Sequence, residues 1–141
     1  MELMENNVCA PKGFKSVGKS LGIKRSGKPD FAVIYSENSA DTAAVYTSNK
    51  VKGAPLIVTK KHLANGQAQA IVINSGVANV CTGEKGIKDA EEMTEFASKE
   101  LGIDSNDVLV ASTGMIGAYL PMDKIKSGIG GIKNELSINS N

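Results

Sequence analysis

Apolar residues occur in short runs along the first half of the chain, and polar or glycine-rich stretches separate them. This pattern predicts β-strands. Three runs rich in β-branched or aromatic residues are interpreted as strands: FAVIYS at 31–36, AAVYTS at 43–48 and PLIVTK at 55–60. A short helix or turn over 62–64 is expected to stop at Asn65-Gly66, a turn signal. We expect an irregular arm over 1–13, and loops with a short strand over 14–30.

The second half of the chain alternates between strand and helix patterns. QAIVINSG at 69–76 and VLVAST at 108–113 are predicted strands, because both contain continuous apolar runs. Between them we predict an amphipathic helix that begins at Thr82 or Gly83 and ends before Gly102. Its apolar stripe recurs at spacings of three and four residues: Ile87, Ala90, Thr94, Ala97 and Leu101.

The order of these elements predicts an α/β fold, a mixed sheet with packed helices. A shorter helix is predicted after Pro121, with apolar residues at Met122, Ile125 and Ile129. The stretch 69–113 is long enough for one β–α–β crossover. The chain has 141 residues and is 41% hydrophobic, so residues 1–141 are expected to form a single domain.

Charge and aromatic content argue against some classes of partner. The net charge is only +1, which gives no attraction for nucleic acid or anionic membranes. Aromatic residues make up 4% of the chain and tryptophan is absent, which argues against base stacking. Cys9 and Cys81 are distant in sequence and indicate a reducing compartment. No signal-peptide pattern or membrane-length apolar run occurs, so we expect a cytoplasmic protein without membrane association.

Two predicted strands end in similar polar, glycine-containing segments. The first ends at Ser75-Gly76 and the second at Ser112-Thr113-Gly114. Backbone N–H groups become available where a ladder stops, and sites in α/β folds gather at such strand ends. We therefore interpret Thr113 and Gly114 as a candidate oxyanion hole, kept rigid and dry by the apolar residues after them. An ordinary turn is the alternative, because Ser, Thr and Gly are common turn residues.

Other candidate sites have weaker support in the sequence. The loop 74–86 could cradle phosphate at a helix N-terminus, but it fits neither common phosphate-loop motif. We favour a packed loop whose polar side chains, Asn74, Ser75 and Asn79, bond to the backbone. Cys81 could pair with the only histidine, His62, as a nucleophile and base.

For Cys81, His62 and three methionines, we favour a structural role over a catalytic one. We expect Cys81 to be a small buried residue and His62 to lie exposed at a helix end. Met93, Met115 and Met122 are expected to fill the core. One histidine and two distant cysteines do not form a metal-ligand set, so no metal site is expected.

Four segments, in this order and spacing, resemble the ornithine acetyltransferase family, also called bifunctional glutamate N-acetyltransferase/amino-acid acetyltransferase. They are GIKRSGKPDFAVIYS, TAAVYTSNKVKGAPLIVTKKHL, AIVINSGVANVCTGEKGIKDAEEM and VLVASTGMIGAYLPMDKI. The resemblance covers about residues 13–132. It implies the α/β fold shared by this family and by self-processing aminopeptidases. Thr113 and Gly114 match the family's S-T-G-[VM]-I-G motif, which implies that they supply the oxyanion hole.

The resemblance also implies a reaction and partners. Family members cleave themselves into α and β chains, and the β chain begins with a threonine nucleophile. That threonine carries acetyl from N2-acetyl-L-ornithine to L-glutamate in arginine biosynthesis, and some members also accept acetyl-CoA. The resemblance implies no cofactor and an assembly of two α and two β chains. The remaining substrate-binding residues lie mostly beyond Asn141 in the family.

The chain departs from the family pattern in two ways. Val77 stands where the family's N-S-G-N-A-N motif has its middle asparagine. No Ala-Thr cleavage sequence occurs between residues 1 and 141, so the chain is interpreted as an incomplete α chain. Two alternatives to a transferase α chain stay open: a catalytically silent assembly or folding partner, and a nucleotide-binding module that uses 74–86.

Overall fold

A four-stranded mixed sheet forms the centre of the computed structural model, which describes residues 8–139. The strands lie side by side in chain order: β1 Phe14–Lys19, β2 Phe31–Asp41, β3 Gln67–Val77 and β4 Val108–Met115. β1 and β2 pair antiparallel, as do β2 and β3, whereas β3 and β4 run parallel. The predicted strands at 31–36, 69–76 and 108–113 are thus confirmed, and each is longer than expected.

Three α-helices accompany the sheet: α1 Ala54–His62, α2 Gly83–Leu101 and α3 Met122–Ile129. α2 connects the parallel strands β3 and β4, which confirms the predicted crossover. It ends at Gly102, whose left-handed φ of +76° lets its N–H reach the Ser98 carbonyl at 2.8 Å. α3 follows Pro121 as predicted. Three short 3-10 turns complete these elements, at Leu63–Asn65, Ser105–Asp107 and Ile132–Glu135.

The core lies between one face of the sheet and the helices. Alternate strand residues point into it, because successive side chains of a strand face opposite ways. The buried residues include Val33, Val72, Val108 and Val110 from the strands, and Ala90, Met93, Ala97, Ile125 and Ile129 from the helices. The opposite face of the sheet carries side chains that are only partly buried: Ala32, Ile34, Ile71 and Ile73.

The predicted strand at 55–60 is wrong, because this segment forms helix α1. Three buried residues, Ala54, Val58 and His62, recur every four positions and define one helical face. α1 lies along the outer edge of β4. Thr59 Oγ1 donates to the Val110 carbonyl at 2.8 Å and accepts from the Val110 N–H at 3.0 Å. A threonine side chain thus replaces the hydrogen bonds that a fifth strand would make.

The predicted strand at 43–48 is also wrong. These residues belong to no helix or strand, and Val45 is fully exposed. Instead, β2 continues to Asp41 through an irregularity in its pairing with β3, and the Thr42 N–H then donates to the Gly66 carbonyl at 2.8 Å. Alternating apolar residues form a strand only beside a partner strand, and none in the described part of the chain lies beside 43–48.

The remaining expectations for the chain have mixed outcomes. The turn after α1 stops at Gly66 as predicted, with a left-handed φ of +74°. Residues 14–30 contain the one short strand expected, β1. The irregular arm predicted over 1–13 falls partly outside the described residues. Within residues 8–139, no helix is both long and apolar enough to cross a membrane.

Candidate active site

Thr113 and Gly114 lie within β4 and not beyond its end. The parallel pairing with β3 continues past them, with Thr113 opposite Ser75 and Gly114 opposite Gly76. Both residues are exposed. The two similar segments singled out in the sequence are therefore neighbours across one pair of strands. This juxtaposition places the candidate site at the carboxyl ends of β3 and β4.

The direction of the backbone groups follows from the regular alternation of β4. The Val110 N–H points away from β3, because it donates to Thr59 on α1. The Met115 carbonyl points toward the β3 side, where it accepts from the Ala78 N–H at 2.9 Å. Alternation between these two points directs the Gly114 N–H to the outer edge and the Thr113 N–H toward β3. An oxyanion site here would therefore combine the Gly114 N–H with the Thr113 hydroxyl.

Close backbone approach makes glycine necessary at the paired positions 76 and 114. A Cβ added at Gly114 would lie 2.5 Å from the Gly76 oxygen and 2.6 Å from the Val77 nitrogen, and closer still to the Gly76 carbonyl carbon. Gly114 also has a φ of +129°, which side chains of L-residues rarely permit. At Gly76, with φ +109°, a Cβ would lie 2.9 Å from Ile23 Cγ2. The two strands and the loop at Ile23 are thus stacked with no room for a side chain.

The segment after Gly114 is exposed, contrary to the expectation of a packed, dry loop. Met115, Ile116 and Tyr119 are 64%, 65% and 57% exposed. The interpretation of Met115 as core is therefore wrong, whereas Met93 is fully buried and Met122 packs against the core as expected. Nothing among residues 8–139 covers this apolar surface. Exposed apolar patches of this kind are typical of interaction surfaces.

The loop between β3 and α2 is filled by its own side chains. Asn79 Nδ2 donates to the Gly86 carbonyl at 2.8 Å, and Thr82 Oγ1 donates to Asn79 Oδ1 at 2.7 Å. Asn74 Nδ2 donates to the Val77 carbonyl at 2.9 Å. These bonds confirm the packed-loop interpretation for both asparagines. They fill the interior of the loop with its own side chains.

Cys81 and His62 both differ from their predicted surroundings. Cys81 is exposed, in a left-handed turn with φ +58°, beside a cavity of about 240 Å³ that Lys50 and Lys52 also line. His62 is buried, because α1 packs against β4 and its Nδ1 donates to the Val108 carbonyl at 2.8 Å. The structure therefore does not form the Cys–His pair considered above.

Some buried polar atoms near the site have no hydrogen-bond partner among residues 8–139. They are Asn74 Oδ1, Ser112 Oγ and Tyr46 Oη. Asn74 and Ser112 are opposite one another on β3 and β4, directly before the Ser75 and Thr113 pair. Ser112 and Tyr46 also line a cavity of about 400 Å³ beside α1. Buried polar groups are nearly always paired, so these three atoms are exceptions within the described residues. The sequence pattern identified Thr113 but gave no signal for Tyr46.

Comparison with known proteins identifies the family. The model of the ArgJ family matches residues 15–141. This chain belongs to the ArgJ family. The match confirms the resemblance described above.

Within the described residues, no group of three or more His, Cys, Asp or Glu side chains could hold a metal ion.

Relatives of this ArgJ-family chain carry the same family name. It is 53% identical over 129 residues to the arginine biosynthesis bifunctional protein ArgJ of Caldanaerobacter subterraneus, covering 92% of this chain and 32% of that protein. The ArgJ protein of Bacillus cereus is 46% identical over 129 residues, covering 91% of this chain and 31% of that protein. The chain thus spans about a third of the length of the curated relatives it matches.

Two solved structures share the ArgJ fold seen here. The bifunctional ArgJ protein of Bacillus halodurans matches with a TM-score of 0.88 and 44% identity, covering 92% of this chain and 68% of that chain. An ornithine acetyltransferase from Mycobacterium tuberculosis, solved in complex with ornithine, matches with a TM-score of 0.91 and 37% identity. The second match covers 97% of this chain and 74% of that chain. Both matches confirm the predicted fold class.

Proposed function

We propose that this chain is part of an acetyltransferase that moves an acetyl group from N2-acetyl-L-ornithine to L-glutamate in arginine biosynthesis. The observation that carries the proposal is the likeness to the ornithine-bound ornithine acetyltransferase. The relatives named as bifunctional proteins of arginine biosynthesis support the pathway. Acetyl-CoA is an alternative acetyl donor, used as a substrate. The proposed chemistry needs no cofactor.

The proposed reaction is two acyl transfers through a threonine ester. The hydroxyl oxygen of an N-terminal threonine, on a separate β chain, attacks the acetyl carbon while its α-amino group takes the proton. The amide C–N bond breaks, and ornithine leaves with a proton on its amine. The amine of glutamate then attacks the ester carbonyl, and the threonine oxygen leaves and regains its proton.

Thr113 and Gly114 are proposed to stabilise the negative oxygen that forms in each tetrahedral intermediate. The Gly114 N–H points to the outer edge of β4, and the exposed Thr113 hydroxyl is the second donor. Both donors are fixed by the strand before the reaction begins. Fixed donors stabilise developing charge without reorganisation, which is why such sites contribute strongly to acyl transfer.

The proposed partner is a β chain that carries the nucleophile, in an assembly of two α and two β chains. The exposed side chains of Met115, Ile116 and Tyr119 beside the site support such a partner, because burying them would stabilise an interface. The half-buried residues Ile71 and Ile73 extend the apolar surface across the open face of the sheet. We expect the same compartment, the cytoplasm, that the sequence suggested.

Two measurements on the native protein test this function. The first follows transfer of labelled acetyl from N2-acetyl-L-ornithine to L-glutamate. The second is the intact mass of the native gene product, before and after incubation with N2-acetyl-L-ornithine alone. We expect transfer, two chains, and one added acetyl group on the chain that begins with threonine.

The opposite results would support a different role. A native protein without transfer activity, and without a second chain or acetyl adduct, would contradict the proposed transferase. The catalytically silent assembly partner would then be the better interpretation. Tight binding of ATP or NAD would instead favour the nucleotide-binding alternative.

A further inference from the structure

Asp30, directly before β2, holds a neighbouring loop through three hydrogen bonds. The residue is nearly inaccessible, at 2% exposure. The N–H of Leu21 donates to Oδ1 at 2.7 Å, and those of Ile23 and Lys24 donate to Oδ2 at 2.6 and 2.9 Å. Hydrogen bonds to a carboxylate are stronger than bonds between neutral groups. We call residues 21–24 the Asp30-anchored loop.

The Asp30-anchored loop lies directly against Gly76. A Cβ added at Gly76 would lie 2.9 Å from Ile23 Cγ2, 3.3 Å from Lys24 Cγ and 3.5 Å from the Ile23 carbonyl carbon. Gly76 in turn lies against Gly114 on the other side. The loop therefore contacts Gly76, and Gly76 contacts Gly114.

The backbone of Asp30 is joined to the same region. Its carbonyl accepts from the Ser75 N–H at 2.7 Å, and its own N–H donates to the Lys19 carbonyl at 3.1 Å. Asp30 thus bonds through its backbone to the residue before Gly76 and through its carboxylate to the loop that packs on Gly76. One residue fixes both the strand and the loop.

We propose that Asp30 is a positioning residue for the oxyanion site, because it holds the Asp30-anchored loop against Gly76 and thereby fixes the backbone of Gly114. This inference rests on the proposed function. Gly114 has a φ of +129°, which glycine adopts without strain, so its contacts with Gly76 and Val77 define the backbone conformation there. Small displacements of catalytic groups are costly, since a shift of about 1 Å can reduce a rate roughly 100-fold.

The electrostatics of Asp30 agree with this role. Burial raises the pKa of the Asp30 carboxyl, but the N–H donors of Leu21, Lys24 and Ile23 and the Lys24 ammonium together lower that pKa below its ordinary value. The carboxylate is therefore charged at neutral pH, the state in which both oxygens accept hydrogen bonds.

The test compares Asp30→Asn with Asp104→Asn in the native protein. Asparagine keeps the size of the side chain but replaces one acceptor oxygen with a donor. Asp104 is a matched control, because its carboxylate accepts from the Asn106 N–H at 2.8 Å in an exposed turn. That turn precedes β4 and is separated from Gly114 by roughly 20 Å of strand. We expect Asp30→Asn to lower kcat about 10-fold or more with KM within twofold, and Asp104→Asn to change neither.

A double-mutant cycle distinguishes positioning from a structural role. If Asp30 acts through the oxyanion site, Asp30→Asn should lower kcat much less in a Thr113→Val background than in the native protein. Equal fold-changes in both backgrounds would overturn the inference, as would an unchanged kcat in Asp30→Asn alone. If Asp30→Asn does not fold, Ile23→Ala removes the side chain that lies nearest to Gly76 and should show the same dependence on Thr113.

Failure of this inference is distinguishable from failure of the proposed function. A native protein that transfers no acetyl group contradicts the function before any variant is compared, and the inference falls with it. An active native protein in which Asp30→Asn behaves like Asp104→Asn contradicts only the positioning role of Asp30.

Discussion

Replacing Gly114 with alanine should destabilise the protein much more than the same change at Gly117. Both glycines have positive φ, +129° and +79°, so both replacements place a Cβ on an unfavourable backbone. Their surroundings differ. A Cβ at Gly114 would lie within 2.6 Å of atoms of Gly76 and Val77, whereas a Cβ at Gly117 would have no described atom within 4 Å.

The magnitude follows from these two effects. A Cβ in the left-handed region, as at Gly117, costs about 1–2 kcal/mol in the free energy of unfolding. The cost at Gly114 is at least as large, because L-residues have no allowed region at its φ of +129°. Overpacking against atoms that cannot move aside costs about 1–3 kcal/mol more, and this applies only to Gly114. The contacts at Gly114 are all with backbone, so the strands must separate to relieve them. We therefore expect losses of about 2–5 kcal/mol for Gly114→Ala and about 1–2 kcal/mol for Gly117→Ala.

Urea unfolding followed by far-ultraviolet circular dichroism measures the difference. The native protein, Gly114→Ala and Gly117→Ala are compared under the same conditions, so that Gly117→Ala reports the cost of a Cβ at positive φ without close contacts. A loss for Gly114→Ala no larger than that for Gly117→Ala would refute the close approach of β3 and β4. It would also remove the basis for transmission from the Asp30-anchored loop to Gly114.

Three further predictions concern stability. Thr59→Val leaves the N–H and carbonyl of Val110 without partners and should cost about 2–4 kcal/mol in urea unfolding. In the control Thr94→Val, only the hydrogen bond from the Thr94 hydroxyl to the Glu91 carbonyl within α2 is lost, which should cost about 1 kcal/mol or less. Equal losses in the two variants would argue against the role of Thr59 at the edge of β4. Asn79→Ala removes a buried side chain with two hydrogen bonds and should lower the unfolding free energy by about 2–3 kcal/mol, and an unchanged urea midpoint would contradict this. The pKa of Asp30 is lowered, so the stability that its carboxylate contributes is complete above about pH 4 and is lost as the pH falls through the lowered pKa. The free energy of unfolding should therefore change less between pH 5 and 3 in Asp30→Asn than in the native protein. Parallel curves of unfolding free energy against pH would contradict this role of Asp30.

The elements with strong periodicity were predictable from the sequence. α2 has an apolar stripe at spacings of three and four, and a glycine in the left-handed conformation ends it. β3 and β4 contain continuous apolar runs. The sequence predicts a strand where α1 forms, because residues 56–59 have strand-like composition, whereas burial in α1 recurs every four residues. Packing against the edge of β4 decided the conformation, and no local pattern contains that contact.

The residues of the candidate site can be named from the sequence, but the directions of their backbone groups cannot. Glycine-containing strand ends identified Thr113 and Gly114, and they also identified the neighbouring Gly76. The direction of each N–H depends on which edge of β4 faces β3, which only the assembled sheet decides. His62 and Cys81 were misplaced for a similar reason, since burial depends on packing between distant segments. No sequence pattern indicates the role of Asp30, because the three hydrogen bonds to its carboxylate form only when the Asp30-anchored loop folds back onto it.

The most direct test of the proposed oxyanion site is kcat for acetyl transfer from N2-acetyl-L-ornithine to L-glutamate in Thr113→Val. Valine keeps the shape of threonine and removes only the hydroxyl. Thr47→Val, at an exposed position outside the sheet, is the matched control. We expect kcat to fall by about 100-fold or more in Thr113→Val, with KM nearly unchanged, while the control keeps native activity. A kcat for Thr113→Val within a few-fold of the native value would contradict the assignment of the site to Thr113 and Gly114.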